Sequence, residues 1–125
     1  MNLPHGDDSL GLYCEAALVE LPIPIILSDY ETLLFANNSA VRMLRATSRA
    51  EVEGLPAASL LHPDMRAAAG ERRGLIIDRG QALARIPIKL ITFDGETIAV
   101  SADAYPVVFG EITVAMFRYR IGAQS

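Results

Sequence analysis

The sequence has one cysteine, no tryptophan and two histidines among its 125 residues. A single thiol cannot close an internal disulfide, so Cys14 points to a reducing compartment. His5, His62 and Cys14 do not make the ligand spacing of a zinc site, and no metal is expected. Basic residues are few and scattered. Arg72-Arg73 is the one adjacent pair, the net charge is −4 and the pI is near 5.1, which argues against a nucleic-acid-binding surface. The longest apolar run, 21–27, is interrupted by Pro22 and Pro24 and is too short for a bilayer. Residues 1–9 carry Asp7 and Asp8 with no basic residue, unlike a secretory signal. A soluble cytoplasmic domain with neither nucleic acid nor membrane as partner is expected.

Catalytic signatures are also missing. No Gly-x-Ser-x-Gly elbow occurs, and Ser39, Ser59 and Ser101 have no evident base. The glycines form no phosphate-cradling loop. Paired acids such as Asp94 and Glu96 fall in expected turns, where solvated or capping roles suffice. No enzyme is expected.

What is present is a moderately charged chain, 21% Asp, Glu, Lys and Arg, in which 51% of residues are hydrophobic. That is enough for one core in one domain. Residues 1–8 read as a flexible tail. Ser9 can cap a helix over 9–21, with Leu10, Tyr13, Cys14, Ala17, Leu18 and Leu21 on one stripe. Residues 23–27 and 33–36 read as a first hairpin around Asp29. Asn37 or Asn38 caps a helix over 39–45, and Ser48 with Glu51 has capping-box spacing. Asp64 is placed as the cap of a helix reaching Asp78, with an apolar side of Met65, Ala68, Ala69, Leu75 and Ile76. From Ala82 the period becomes two, and Asp94-Gly95 signals a hairpin turn. A strand over 96–105, a turn bracketed by Pro106 and Gly110, and a strand over 111–120 complete the chain, with 122–125 as a tail. The segregated order indicates an α+β fold with an antiparallel sheet.

Several local signals resemble the PAS family in order and spacing over 10–120. They are Asp29 with Leu33-Leu34-Phe35-Ala36-Asn37, then Glu51-Val52-Glu53-Gly54, Leu60-Leu61-His62-Pro63-Asp64, Phe93-Asp94-Gly95-Glu96 and Tyr105-Pro106. Two positions depart from the family pattern. The last strand ends in Phe117-Arg118-Tyr119-Arg120 without the usual Asp-Ile-Thr run, and Arg45-Ala46 stands where a glycine often ends the helix. The resemblance implies a PAS-like core over 22–121: a five-stranded antiparallel sheet with short helices on one face, preceded by a flanking helix. It also implies a sensor for signal transduction that controls an effector in cis or in trans. Effectors of this kind are a histidine kinase of a two-component system, a cyclic-nucleotide enzyme or a transcription factor.

No cofactor is assigned. The flavin photoadduct class needs a cysteine after the second strand, where this chain has none, so no photoadduct is expected. Haem through His62 is disfavoured against a capping role. A small apolar ligand could contact Ile25, Leu27, Val41, Leu44, Met65, Ala69, Ile76, Ile88, Val100 and Met116, with Tyr105 or Tyr119 as polar handle. The same residues could simply fill the core. Leu10, Tyr13, Ala17, Leu18 and Leu21 are the candidates for a homodimer interface. Two rivals stay open: a protein-interaction module with a filled core, and a small cone-shaped α+β enzyme. The apolar strand faces, with Asp103 the one acid inside a strand, count against the enzyme.

Overall fold

The computed structural model describes residues 17–121. Two short strands, β1 (Ile25–Ser28) and β2 (Leu33–Ala36), form the first hairpin. Two short helices follow, α1 (Asn38–Met43) and α2 (Arg49–Val52), then a 3₁₀ turn (Ala57–Leu60) and the longer α3 (Pro63–Arg73). A π-helical turn (Gly74–Asp78) leads into β3 (Leu83–Ile91), β4 (Thr97–Phe109) and β5 (Ile112–Ile121). The strands make one antiparallel sheet in the order β2-β1-β5-β4-β3, so the first hairpin joins the meander through β1 and β5. Most of helix 9–21, with Leu10, Tyr13 and Cys14, lies outside the described residues.

The caps follow the sequence chemistry. Asn37 starts α1, accepting at Oδ1 from the Ala40 N–H at 2.9 Å, and Ser48 starts α2. The cap of α3 is His62, not Asp64. Its Nδ1 accepts from the Asp64 N–H, because Pro63 lacks a donor and takes the first helical position. The helix also stops being regular at Arg73 and widens into the π turn, which puts Ile76 into the core at 0% exposure.

Three strand features depart from the expectation. β1 begins at Ile25, since Pro22 and Pro24 cannot donate ladder bonds and Ile23 is exposed. β4 runs through Pro106 to Phe109. β3 has ended by the Leu83–Ala104 pair, so Pro106 sits where β4 is an edge and needs no donor on that side. A bulge between Leu83 and Ile86, with Arg85 at φ +57°, flips the start of β3. Leu83 therefore packs on the core side with Ile86, Ile88 and Leu90 instead of opposite them.

The main core lies between the sheet and the helices, with Ile26, Leu44, Val52, Ile76, Leu90, Ala102 and Ala104 among its buried members. A second cluster, Ile25, Leu27, Phe35 and Val114, occupies the other face of the sheet, with Leu18 and Met116 packed against it. Farther along that face Asp103 is buried, accepting from the Arg85 N–H at 3.0 Å and from Arg118 and Arg120 at 3.1 and 2.9 Å.

Candidate functional site

The site is built from the turn of the first hairpin, the inner sheet face and α3. Asp29 Oδ1 accepts from the Glu31 and Thr32 N–H groups at 2.9 and 2.7 Å, and Ser28 Oγ accepts from the Tyr30 N–H at 2.9 Å. These bonds hold Tyr30 at φ +75°, a left-handed conformation that costs a non-glycine residue about 1–2 kcal/mol. The ring turns inward and packs edge-on against Phe117, with centroids 5.6 Å apart, and Phe117 stacks on Tyr119.

Beneath α3 these rings line a cavity of about 50 Å³, together with Ile26, Leu33, Leu60, Ala69, Ile88, Leu90 and the Arg72 side chain. An outer recess of about 200 Å³ continues from it along Tyr30, Ala57, Leu61 and Ala69, and adds Arg66 and Arg73. The cover is loosely seated. No residue of α3 is fully buried, while its start is tied to β3 by the His62 N–H donating to the Lys89 carbonyl and its end by the buried Ile76. Low burial between two anchors is the pattern of an element that opens locally.

The polar groups are few. The Tyr30 hydroxyl is buried and has no hydrogen-bond partner among the described residues. Burial pushes its pKa up to about 12 against the opposing charge of Arg72. Burial, helped by the neighbouring Tyr30, raises Tyr119 still further. Both phenols are therefore neutral O–H donors at physiological pH. Arg73 pairs with Asp78 at 3.6 Å, whereas among the described residues no carboxylate pairs with Arg66 or Arg72.

Of the ten ligand candidates, the structure brings Ala69 and Ile88 to the cavity wall. Val41, Leu44, Ile76 and Val100 belong to the same core but lie away from the cavity, and Met65 is half-buried outside it. Ile25, Leu27 and Met116 are corrected to the opposite sheet face, because β1 presents Ile26 inward and β5 presents Ala115, Phe117 and Tyr119. Of the two handles, Tyr119 lines the cavity, whereas Tyr105 lies under the Arg118 guanidinium. Tyr30 and Arg72 were missed. A Ser-Asp-Tyr turn looks solvated in sequence, and only the left-handed backbone at Tyr30 sends the ring inward. Among the interface candidates, Leu10 and Tyr13 lie outside the described residues, Ala17 and Leu21 are exposed, and Leu18 packs on the outer sheet cluster.

Among the described residues no group of three or more His, Cys, Asp and Glu could hold a metal, and no helix is long and apolar enough to cross a membrane. The sequence matches no protein-family model and no curated protein. Solved structures do match. The PAS domain of a Colwellia psychrerythraea protein superposes with a TM-score of 0.72 at 14% identity, covering 93% of this chain and 99% of that one. This chain has the PAS fold. The PAS domain of nitrogen regulation protein NR(II) from Vibrio parahaemolyticus gives a TM-score of 0.64 at 16% identity, over 86% of this chain and 96% of that one. The PAS domain of a LuxR-family transcriptional regulator from Burkholderia thailandensis, solved in complex with ethanol, gives 0.68 at 18% identity, over 87% and 96%.

Proposed function

We propose that this PAS-fold chain is a non-enzymatic sensory module of the cytoplasm. It takes a small ligand between α3 and the sheet, dimerises, and controls an effector in cis or in trans. The observation that carries the ligand is Tyr30, which lines an apolar cavity and whose buried hydroxyl has no partner among the described residues. Leaving such a group unbonded costs about 1–3 kcal/mol, and a ligand that bonds it recovers that cost. The cavity is far smaller than the several hundred Å³ of a drug-sized site, so the ligand is small. The ethanol held by the Burkholderia relative is of that scale. Relatives drawn from nitrogen regulation and LuxR-type regulators support an output in signalling.

Dimerisation is assigned to the segment carrying Leu10, Tyr13, Ala17, Leu18 and Leu21, of which Leu18 already rests on the sheet. A second reading, an interaction module whose output is association alone, is favoured by the exposed apolar side chains of Val108, Ile112 and Ile121 on β4 and β5. Native mass spectrometry of protein purified from cells separates the two. A dimer carrying a stoichiometric small molecule supports the sensor, a ligand-free dimer supports the interaction module, and a monomer removes dimerisation from both.

A further inference from the structure

The residues around the cavity and recess are uneven in charge. Arg66, Arg72 and Arg73 border them and, among the described residues, no Asp or Glu does, although the chain as a whole carries a net charge of −4. Arg73 is engaged by Asp78, but Arg66 and Arg72 are not matched by any carboxylate among the described residues. Arg72 alone of the three reaches the inner cavity, whose wall also carries Tyr30, with its hydroxyl buried and unbonded among the described residues. A guanidinium and a neutral phenol present N–H and O–H donors, the complement of a carboxylate, which accepts at both oxygens.

We infer that the ligand of this cavity is a small aliphatic monocarboxylate, its carboxylate on Arg72 and the Tyr30 hydroxyl and its tail among Leu60, Ile88 and Leu90. This rests on the ligand-sensing reading above and specifies the chemistry of the same site. A neutral ligand seated over Arg72 would strip water from a cation and return no counter-charge. An ammonium group would meet arginines and no acid, which excludes amino acids and amines. Tail length follows from the volume. A water-sized group needs about 10–15 Å³ of such space, so about 50 Å³ takes about three to five such groups. Acetate and propionate, with four and five non-hydrogen atoms once the carboxylate is counted, fall in that range.

The test is titration calorimetry of the full chain with propionate, with its neutral isostere propionamide, and with propylamine. Propionate is expected to bind about tenfold or more tightly than propionamide, the effect of one charge-assisted pair, and propylamine not to bind. Hexanoate, too long for the inner cavity, should bind more weakly than propionate. Arg72→Gln should abolish the preference for acid over amide while propionamide binding persists, which also reports that the variant is folded. Arg72→Lys should keep part of the preference. Equal binding of acid and amide, or a preference that survives Arg72→Gln, overturns the carboxylate assignment and leaves the sensor reading standing. Failure of both acid and amide to bind, together with ligand-free protein from cells, overturns both.

Discussion

Asn37 and Tyr30 are buried polar groups seven positions apart in the same hairpin region, and their surroundings are opposite. Asn37 is 0% exposed and fully bonded. Its Oδ1 accepts from the Ile25 and Ala40 N–H groups at 3.0 and 2.9 Å, and its Nδ2 donates to the Leu18 and Ile23 carbonyls at 3.0 and 2.8 Å. One side chain thus fastens the segment before β1, β1 itself and the start of α1. The Tyr30 hydroxyl is equally hidden and bonds nothing among the described residues. A saturated polar junction fixes a unique structure, and an unsaturated one beside space leaves a bond for something else to make. The fold is held where Asn37 sits and is available where Tyr30 sits.

The largest expected effect breaks the first term of that comparison. Asn37→Ala orphans two N–H groups and two carbonyls in the interior at once. At about 1–3 kcal/mol for each unsatisfied group and partial relaxation, urea denaturation should show a loss of about 3–5 kcal/mol. Asn37→Asp should not rescue it, since a carboxylate keeps the two acceptors but turns negative oxygen toward the Leu18 and Ile23 carbonyls. A loss below about 1 kcal/mol for Asn37→Ala would mean the junction is not what fastens these segments.

Asp103 is the intermediate case, a buried charge that is bonded on the outer face. The Arg85 N–H holds its pKa below the ordinary aspartate range, with Arg118 and Arg120 adding to that. A lowered folded-state value means the carboxylate adds stability above the unfolded pKa of about 3.9, and that this is lost as pH falls through the folded value. Asp103→Asn should therefore cost about 1–3 kcal/mol at neutral pH, and the penalty should shrink as pH falls below about 4. A pH-independent penalty would assign the effect to geometry, not charge.

Tyr30→Phe tests the second term, with the opposite sign. Removing a hydroxyl that no group among the described residues bonds should leave the ligand-free protein as stable or more stable by about 1 kcal/mol in thermal or urea unfolding. Ligand binding should weaken at the same time. A stabilised protein that binds less well is the signature of a group kept for function at a cost in stability. A destabilised Tyr30→Phe protein would show instead that the hydroxyl has a structural partner.

The same contrast explains what was legible in the sequence. Elements set by local chemistry were readable: Leu33–Ala36 as a strand, Ser48 and Asn37 as caps, and the Asp94-Gly95 turn between β3 and β4. The antiparallel α+β architecture followed from their order. What depends on one backbone angle or one inserted residue was not readable. The bulge at Arg85 moved Leu83 across the sheet, and the left-handed Tyr30 turned a surface-looking turn into a cavity wall. Period-two alternation gives β5 two faces but does not say which the helices cover, and the apolar run 23–27 reads only as a strand with no inward face marked. That is why Ile25, Leu27 and Met116 were assigned to the wrong side. Arg72 was visible only as half of a basic pair, because a missing counter-charge cannot be read from neighbours along the chain.

The smallest effect lies at the other end of the helix that Asn37 begins. Arg45 follows the Leu44 cap at φ +61°, the left-handed position where helices favour glycine. Its guanidinium bonds Asp94 at 2.8 Å and Glu96 at 3.1 Å across the β3–β4 turn, with all three side chains well exposed. Exposed pairs contribute little and are screened by salt, whereas backbone strain is not. Arg45→Gly trades the pairs for a relaxed backbone. Relative to the parent chain its melting temperature should rise with added salt, from near parity at low ionic strength to a small net gain at high. A deficit that persists at high salt would mean that the Arg45 stem packs against the β3–β4 turn and that its charge is incidental.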